Sequence, residues 1–262
     1  MTQISAVSRE QHAGKRWQRP ASYSFTANDA VAPLVAQELP RACMSMPVGF
    51  VQTPNGYQLV AVQGLQSGRN LWLAPDGRWI GPYVPAAYRG HPFVLAKAND
   101  DQHALCIRNV GGVISESEGE PFFGEDGKPS KPIQDVLRFL ELLATNTRQT
   151  AALCALLDTH GLIQPWNIQV KTGGGDSGNE RKVQGLFRVD ETALNALPPE
   201  AFEALRKGGA LALVYCQLLS MQHLKTLATL TDQHAKAAST PQPDGNGLNT
   251  DLLGADGNIR FD

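Results

Sequence analysis

The chain has 262 residues, 42% of them hydrophobic, which suffices for one large domain or two small ones with a real core. Its 23 Lys and Arg stand against 25 Asp and Glu, a formal net charge of −2 that disfavours nucleic acid as a partner. The N-terminal stretch MTQISAVSREQHAGKRW carries charges where an export signal needs an apolar run, and the longest charge-free apolar run, 208–222, is too short to span a bilayer. A cytoplasmic protein without membrane insertion is expected.

In chain order, residues 1–32 are polar, with Gly14, Pro20 and the hydroxyls of Ser22, Ser24 and Thr26, and read as a loosely structured arm. Residues 46–115 are strand-like: Gln58–Val62, Asn70–Ala74 and Ala104–Arg108 are short apolar runs bounded by Gly, Pro, Asn and Asp. Asn55-Gly56 and Asp76-Gly77 are two-residue hairpin signals, since both residue types tolerate positive φ. A meander of short antiparallel strands is predicted there.

After Gly127 the period changes. Ile133, Val136, Leu137, Leu140, Leu143 and Ala144 recur at steps of three and four, the mark of an amphipathic helix, with Pro132 suited to its first turn. A second helix is predicted over Thr150–Thr159, ended by Gly161. Trp166–Val170 and Val183–Val189 read as two strands of a hairpin, followed by a short helix at Glu200–Arg206 and a last apolar helix from Leu211 to about Gln233. The predicted class is α+β, with the meander over about 46–115, a helix-rich second half and the additional hairpin at about 165–190. The domain proper is expected over 33–235, and 236–262, rich in Pro, Gly, Asn and Asp, as a flexible tail unable to bury enough surface to fold alone.

Chemical motifs are scarce. Gly173, Gly175 and Gly178 fit G-x-G-x-x-G, but dinucleotide binding needs those glycines to open a helix, and here the strand-like Val183–Val189 follows. Asn179 and Glu180 stand where a phosphate loop needs Lys and Ser or Thr. A hairpin connection is the plainer account. The six histidines form no metal-binding pair, and no Gly-x-Ser-x-Gly elbow presents a serine. Glu116, Glu118, Glu120, Glu125 and Asp126 make an acidic stretch without the spacing of a calcium loop. Cys43, Cys106, Cys154 and Cys216 lie far apart in sequence among apolar or small neighbours and are expected as buried, inert thiols. No cofactor and no metal is expected.

The most idiosyncratic segment is 64–93, GLQSGRNLWLAPDGRWIGPYVPAAYRGHPF. Strand alternation would put Leu71 and Leu73 on one face and Trp72 on the other. If the second face is covered, Trp72, Trp79, Tyr83 and Tyr88 are core. If it lines a groove, they supply flat apolar contact with polar handles, beside His91 and an Arg89 able to fork onto a carboxylate. Both readings stay open at this level.

The same residues carry a family resemblance. The chain resembles the SapC family of bacterial proteins through Ala32-Pro-Leu34, Met46-Pro-x-x-Phe50, Gly64-Leu-x-x-Gly-x-Asn-Leu-Trp72, Asp76-Gly-Arg-Trp79, Tyr83-Val-Pro-Ala86, Arg89-x-x-Pro-Phe93 and Leu105-Cys-Ile107. It continues in Asp126-Gly127, Gly161-Leu162, Gly185-Leu-Phe-Arg-Val-Asp-Glu191 and Leu218-Leu-Ser220, covering roughly 30–235. The family takes its name from a gene found with S-layer export genes, and relatives stand beside outer-membrane receptor and tryptophan-halogenase genes. The resemblance implies a part in surface-protein biogenesis and supplies no catalytic residues.

Three functional classes follow. The first is an accessory protein gripping a protein or peptide partner through Trp72, Trp79, Tyr83, Tyr88, Arg89 and His91, with a partner ordering the polar termini. The second is an enzyme modifying a peptide or small molecule, with Arg89, His91 and the acidic stretch as its polar set. The third is a structural subunit of a large assembly.

Overall fold

A computed structural model of the chain describes residues 3–99, 102–109, 111–172 and 179–239. The first part contains β1 (Gln3–Ala6), α1 (Arg9–His12), β2 (Arg16–Trp17), β3 (Val31–Pro33), α2 (Leu39–Ala42), β4 (Val48–Thr53) and β5 (Gly56–Val62). Then come α3 (Ala86–Arg89), β6 (Phe93–Asn99), β7 (Gln102–Asn109), β8 (Ile114–Ser115), β9 (Glu120–Pro121) and α4 (Lys131–Thr159). The last part holds β10 (Ile163–Pro165), β11 (Ile168–Thr172), β12 (Asn179–Val183), β13 (Leu186–Val189), α5 (Glu191–Asn195), α6 (Pro199–Lys207), α7 (Leu211–Ser220) and α8 (Leu224–Ser239).

The class is α+β, and every strand pairing among the described residues is antiparallel. The predicted single meander divides between two sheets. One is five-stranded in the order β10-β13-β4-β5-β3, the other three-stranded in the order β1-β7-β6, and β8-β2-β9 forms a third, very short sheet. Asn70–Ala74 is not a sheet strand. Only Leu73 and Trp79 bridge across the Asp76-Gly77 turn, because the flanking Gly and Pro residues leave no length for a ladder. In the β4–β5 hairpin Gly56 takes positive φ and Asn55 does not, so the turn sits one residue earlier than the Asn-Gly signal suggests.

The N-terminal segment expected as a loose arm instead adds β1 to β7, threads β2 between β8 and β9, and adds β3 to β5. The two predicted helices over 131–159 are one, α4. The polar tract Asn146–Thr150 breaks the apolar period, yet Thr147 and Thr150 donate back to the carbonyls of Leu143 and Asn146 (2.8 and 2.7 Å), which the helix absorbs. Conversely, the last predicted helix divides at a 3-10 turn, Met221–His223. There the Ser220 hydroxyl accepts from the backbone N–H of Val48 and donates to Gln217 O. The hairpin near 165–190 is formed by β11 and β12, while Gly185 (φ 83°) ends the expected Val183–Val189 strand and sends β13 into the five-stranded sheet. Gly173, Gly175 and Gly178, and the tail from residue 240, lie outside the described residues.

Burial separates into two cores. The larger packs α4's C-terminal half (Cys154, Leu157), α7 and α8 on the five-stranded sheet around Phe50, Leu59, Met46 and Leu213. The smaller gathers Trp17, Phe93, Ile107, Val113 and Phe122 under the N-terminal half of α4 through Ile133, Val136 and Leu140. Among the described residues, α4 is the one helix that contributes buried side chains to both.

Candidate functional site

The segment 64–93 leaves β5 and crosses from the larger core to the smaller. Its first half is pinned from within. Asn70 accepts from the N–H of Trp72 and donates to the carbonyl and hydroxyl of Thr26 (2.9, 3.2 and 3.1 Å), closing a loop that buries Leu71, Trp72 and Leu73. A Cβ on Gly64 would run into the carbonyl of Arg69, and one on Gly81 would come within 2.7 Å of the Trp72 ring. Both glycines are there for close approach.

Of the aromatic residues singled out from sequence, Trp72 and Tyr88 are buried and belong to the larger core. Trp72 does not follow the alternation expected of a strand: Leu71, Trp72 and Leu73 are all buried, in a loop with no open face. Trp79 and Tyr83 are half-buried against that core, and the Trp79 indole donates to the carbonyl of Tyr83 at 2.9 Å. Arg89 keeps 41% of its side chain exposed.

These residues are organised by one that sequence reasoning passed over. Glu38, its side chain 5% exposed, accepts on Oε2 from the Val35 N–H (3.0 Å). On Oε1 it accepts from the Ala86 N–H (2.6 Å) and the Tyr83 hydroxyl (2.7 Å), with the Arg89 guanidinium 3.8 Å away. A buried carboxylate needs such a full set of donors. Arg89 in turn donates to the Tyr83 hydroxyl at 3.3 Å and lies 5.7 Å from the Tyr83 ring and 5.5 Å from the Phe139 ring. Two aromatic faces and a carboxylate thus hold the guanidinium in place while its outer N–H groups remain free for a ligand. Burial pushes the Tyr83 phenol well above the ordinary tyrosine value, and the Glu38 carboxylate adds to it.

A second anchor lies on the other side of α3. The Tyr88 hydroxyl contacts Asp29 Oδ2 (3.0 Å) and Gln63 Oε1 (2.9 Å), while the buried Nε2 of Gln63 has no partner. One proton cannot serve two acceptors, so the amide is better turned, with Nε2 donating to the hydroxyl and the hydroxyl donating to Asp29. Burial raises the Tyr88 phenol too, with Asp29 the next cause. His91 is half-buried and stacks on Phe25 at 3.8 Å with the rings 10° apart. Burial lowers its pKa from the ordinary 6.5, and the nearby Arg108 lowers it further.

Four clefts meet at Ala86–His91. One of 390 Å³ is lined by Glu38, Arg41, Tyr83, Ala86, Arg89 and Phe139, with the exposed Leu142 at its edge. One of 230 Å³ lies between Trp17, Arg19, Arg89, His91 and Phe139. A third, 350 Å³, is bounded by Phe25, Asp29, Ala87, Tyr88, His91 and Arg108. The fourth, 390 Å³, runs from Ala87 along Thr147, Thr150 and Ala151 to Tyr57. Arg89 and Phe139 divide the first from the second, and His91 and Phe93 divide the second from the third.

Among the described residues no group of three or more His, Cys, Asp or Glu side chains could hold a metal ion, and no helix is long and apolar enough to cross a membrane. The acidic stretch 116–126 lines none of these clefts. Cys43, Cys106 and Cys154 are buried as expected, and burial pushes the Cys154 thiol up to about 11. Cys216 is only half-buried, and the fold brings it beside Cys43, whose thiol rises to about 11 through burial and then through Cys216.

The fold and site define an antiparallel α+β protein whose most distinctive segment bridges two cores and borders several clefts. The chain belongs to the SapC family, whose family model matches residues 7–227. That match begins inside the segment expected as an arm. No curated protein and no solved structure matched the chain.

Proposed function

We propose that the clefts around Ala86–His91 form one groove for a segment of a protein partner, and that the chain serves as an accessory or binding protein in bacterial surface-protein biogenesis, as the family's name suggests. The observation carrying this reading is the convergence of four clefts on one short segment. Their volumes, 230–390 Å³, suit successive side chains of an extended peptide. Arg, Tyr and Trp are the types that dominate binding hot spots, and Arg89 and Tyr83 are already held by Glu38, so little order is lost when a ligand docks. The accessory reading is preferred to the catalytic alternative because the acidic stretch that alternative needs beside Arg89 and His91 lines none of these clefts.

Affinity capture from the native host, with the wild-type chain and with Arg89→Ala as bait, tests the reading. A partner retained by the wild type and depleted at least about tenfold with Arg89→Ala is expected, since a centrally placed Arg contributes on the order of 2 kcal/mol. Equal capture by the two baits contradicts it.

A further inference from the structure

Three arginines surround His91. Arg19 reaches the carbonyl of Arg89 (3.5 Å) from one side, with its guanidinium 5.9 Å from the Trp17 ring. Arg89 stands beside it, between Tyr83 and Phe139. Arg108 lies across His91, in the cleft with Phe25. Among the described residues neither Arg19 nor Arg108 makes an ion pair, and Arg41, further along the groove, makes none either. The carboxylates that face this region are engaged: Asp135 with Lys131 at 2.6 Å, Asp29 with the Tyr88 hydroxyl, Glu38 with three donors. Four arginines thus share these clefts with three carboxylates, of which Glu38 also lies 3.8 Å from Arg89 and Asp135 is offset by Lys131, so a chain of formal charge −2 has gathered an excess of cations along one groove. Such a concentration of one sign lowers the free energy of an incoming opposite charge and steers its approach.

We infer that the groove reads an acidic peptide segment, whose carboxylates meet Arg89 on one side of His91 and Arg108 on the other while an apolar or aromatic side chain packs against Phe25 and His91. The inference rests on the partner-groove reading and adds its chemistry. Arg is suited to the task because its planar fork matches a carboxylate in two hydrogen bonds. The Phe25–His91 stack, with Phe25 42% exposed, offers the flat apolar face between the charges.

Calorimetry on the full chain at low salt, with the acetylated peptide Glu-Asp-Trp-Glu-Asp-Leu-Glu and its Gln/Asn counterpart, tests this. The acidic peptide should bind at least about tenfold more tightly and lose affinity as salt is raised. Arg89→Gln and Arg108→Gln should each weaken it by roughly fivefold to tenfold, with thermal unfolding unchanged for the exposed Arg108 variant. Equal binding of the two peptides overturns the charge inference and leaves the partner groove standing, because capture by the wild-type bait and not by Arg89→Ala is a separate observation. Acidic-peptide binding that ignores both substitutions overturns it as well, as does absence of binding by either peptide at about 1 mM. Inorganic phosphate displacing all the heat would show a site for a free anion instead, which is also contrary to the inference.

Discussion

Glu38 shows how much of the site depends on one side chain with 5% exposure. Removing it leaves the N–H groups of Val35 and Ala86 and the Tyr83 hydroxyl without their acceptor. Glu38→Ala should lower unfolding stability by about 3 kcal/mol in urea denaturation and Glu38→Gln by less, since the amide oxygen still accepts. Equal losses would contradict the view that hydrogen-bond acceptance, rather than charge alone, holds these groups. The raised phenols of Tyr83 and Tyr88 carry a sign. A phenol held neutral in the fold but free to ionise near pH 10 when unfolded stabilises the fold fully below that value. Stability should therefore fall as pH climbs above about 10, and Tyr83→Phe with Tyr88→Phe should flatten the decline. For His91 the sign is opposite: its pKa is lowered, so its contribution is present above the ordinary 6.5 and lost as pH falls. Arg108→Gln should raise the His91 pKa in an NMR titration, and no change would place Arg108 away from the imidazole. Arg89, His91 and the aromatics are conspicuous in the sequence. Glu38 is not, because Val35 offers no capping side chain to flag the turn and its partners lie 45–48 positions on. Phe25 and Arg108 were invisible for the same reason, as each comes from a different element.

At the scale of elements, the sequence shows α4's start and stop clearly through Pro132 and Gly161, while its continuity is hidden by the polar tract. That tract has a purpose in packing. The Thr150 hydroxyl accepts from the Ala36 N–H at 2.8 Å and so fixes α4 beside the turn that carries Glu38. Thr150→Val keeps the shape and strands that N–H, and should destabilise by about 1–2 kcal/mol in denaturant titration. Loss of that size with an unchanged denaturant slope would confirm a local defect. The loop 64–81 misled strand alternation because its hydrogen bonds run to Asn70 and Thr26 rather than to a neighbouring strand. Gly64→Ala should therefore be among the most damaging small changes in the chain, on the order of 3 kcal/mol, since the obstacle is a backbone carbonyl that cannot swing aside. Trp79→Ala, removing a half-buried ring and its bond to Tyr83 O, should cost about 3 kcal/mol by cavity formation and leave α4 formed by far-UV circular dichroism.

For the molecule as a whole, the α+β class and the order of strands before helices are legible in hairpin signals and helical period, but the partition into two cores is not. Period tells which residues are buried and says nothing of which buried residues meet. Tyr88 packs in the larger core and Phe93 in the smaller, so the short segment between them lies at the seam, where surfaces diverge and clefts open. The central claim is that a partner occupies this seam. A photo-crosslinking residue placed at the exposed Ala87, which borders two of the clefts, tests it most directly in the native host, with the exposed Ala228 on α8 as control. The account predicts a discrete crosslinked protein at Ala87, absent at Ala228 and lost when Arg89→Ala is added; equal crosslinking at both positions, or a product at Ala87 that survives Arg89→Ala, would contradict it.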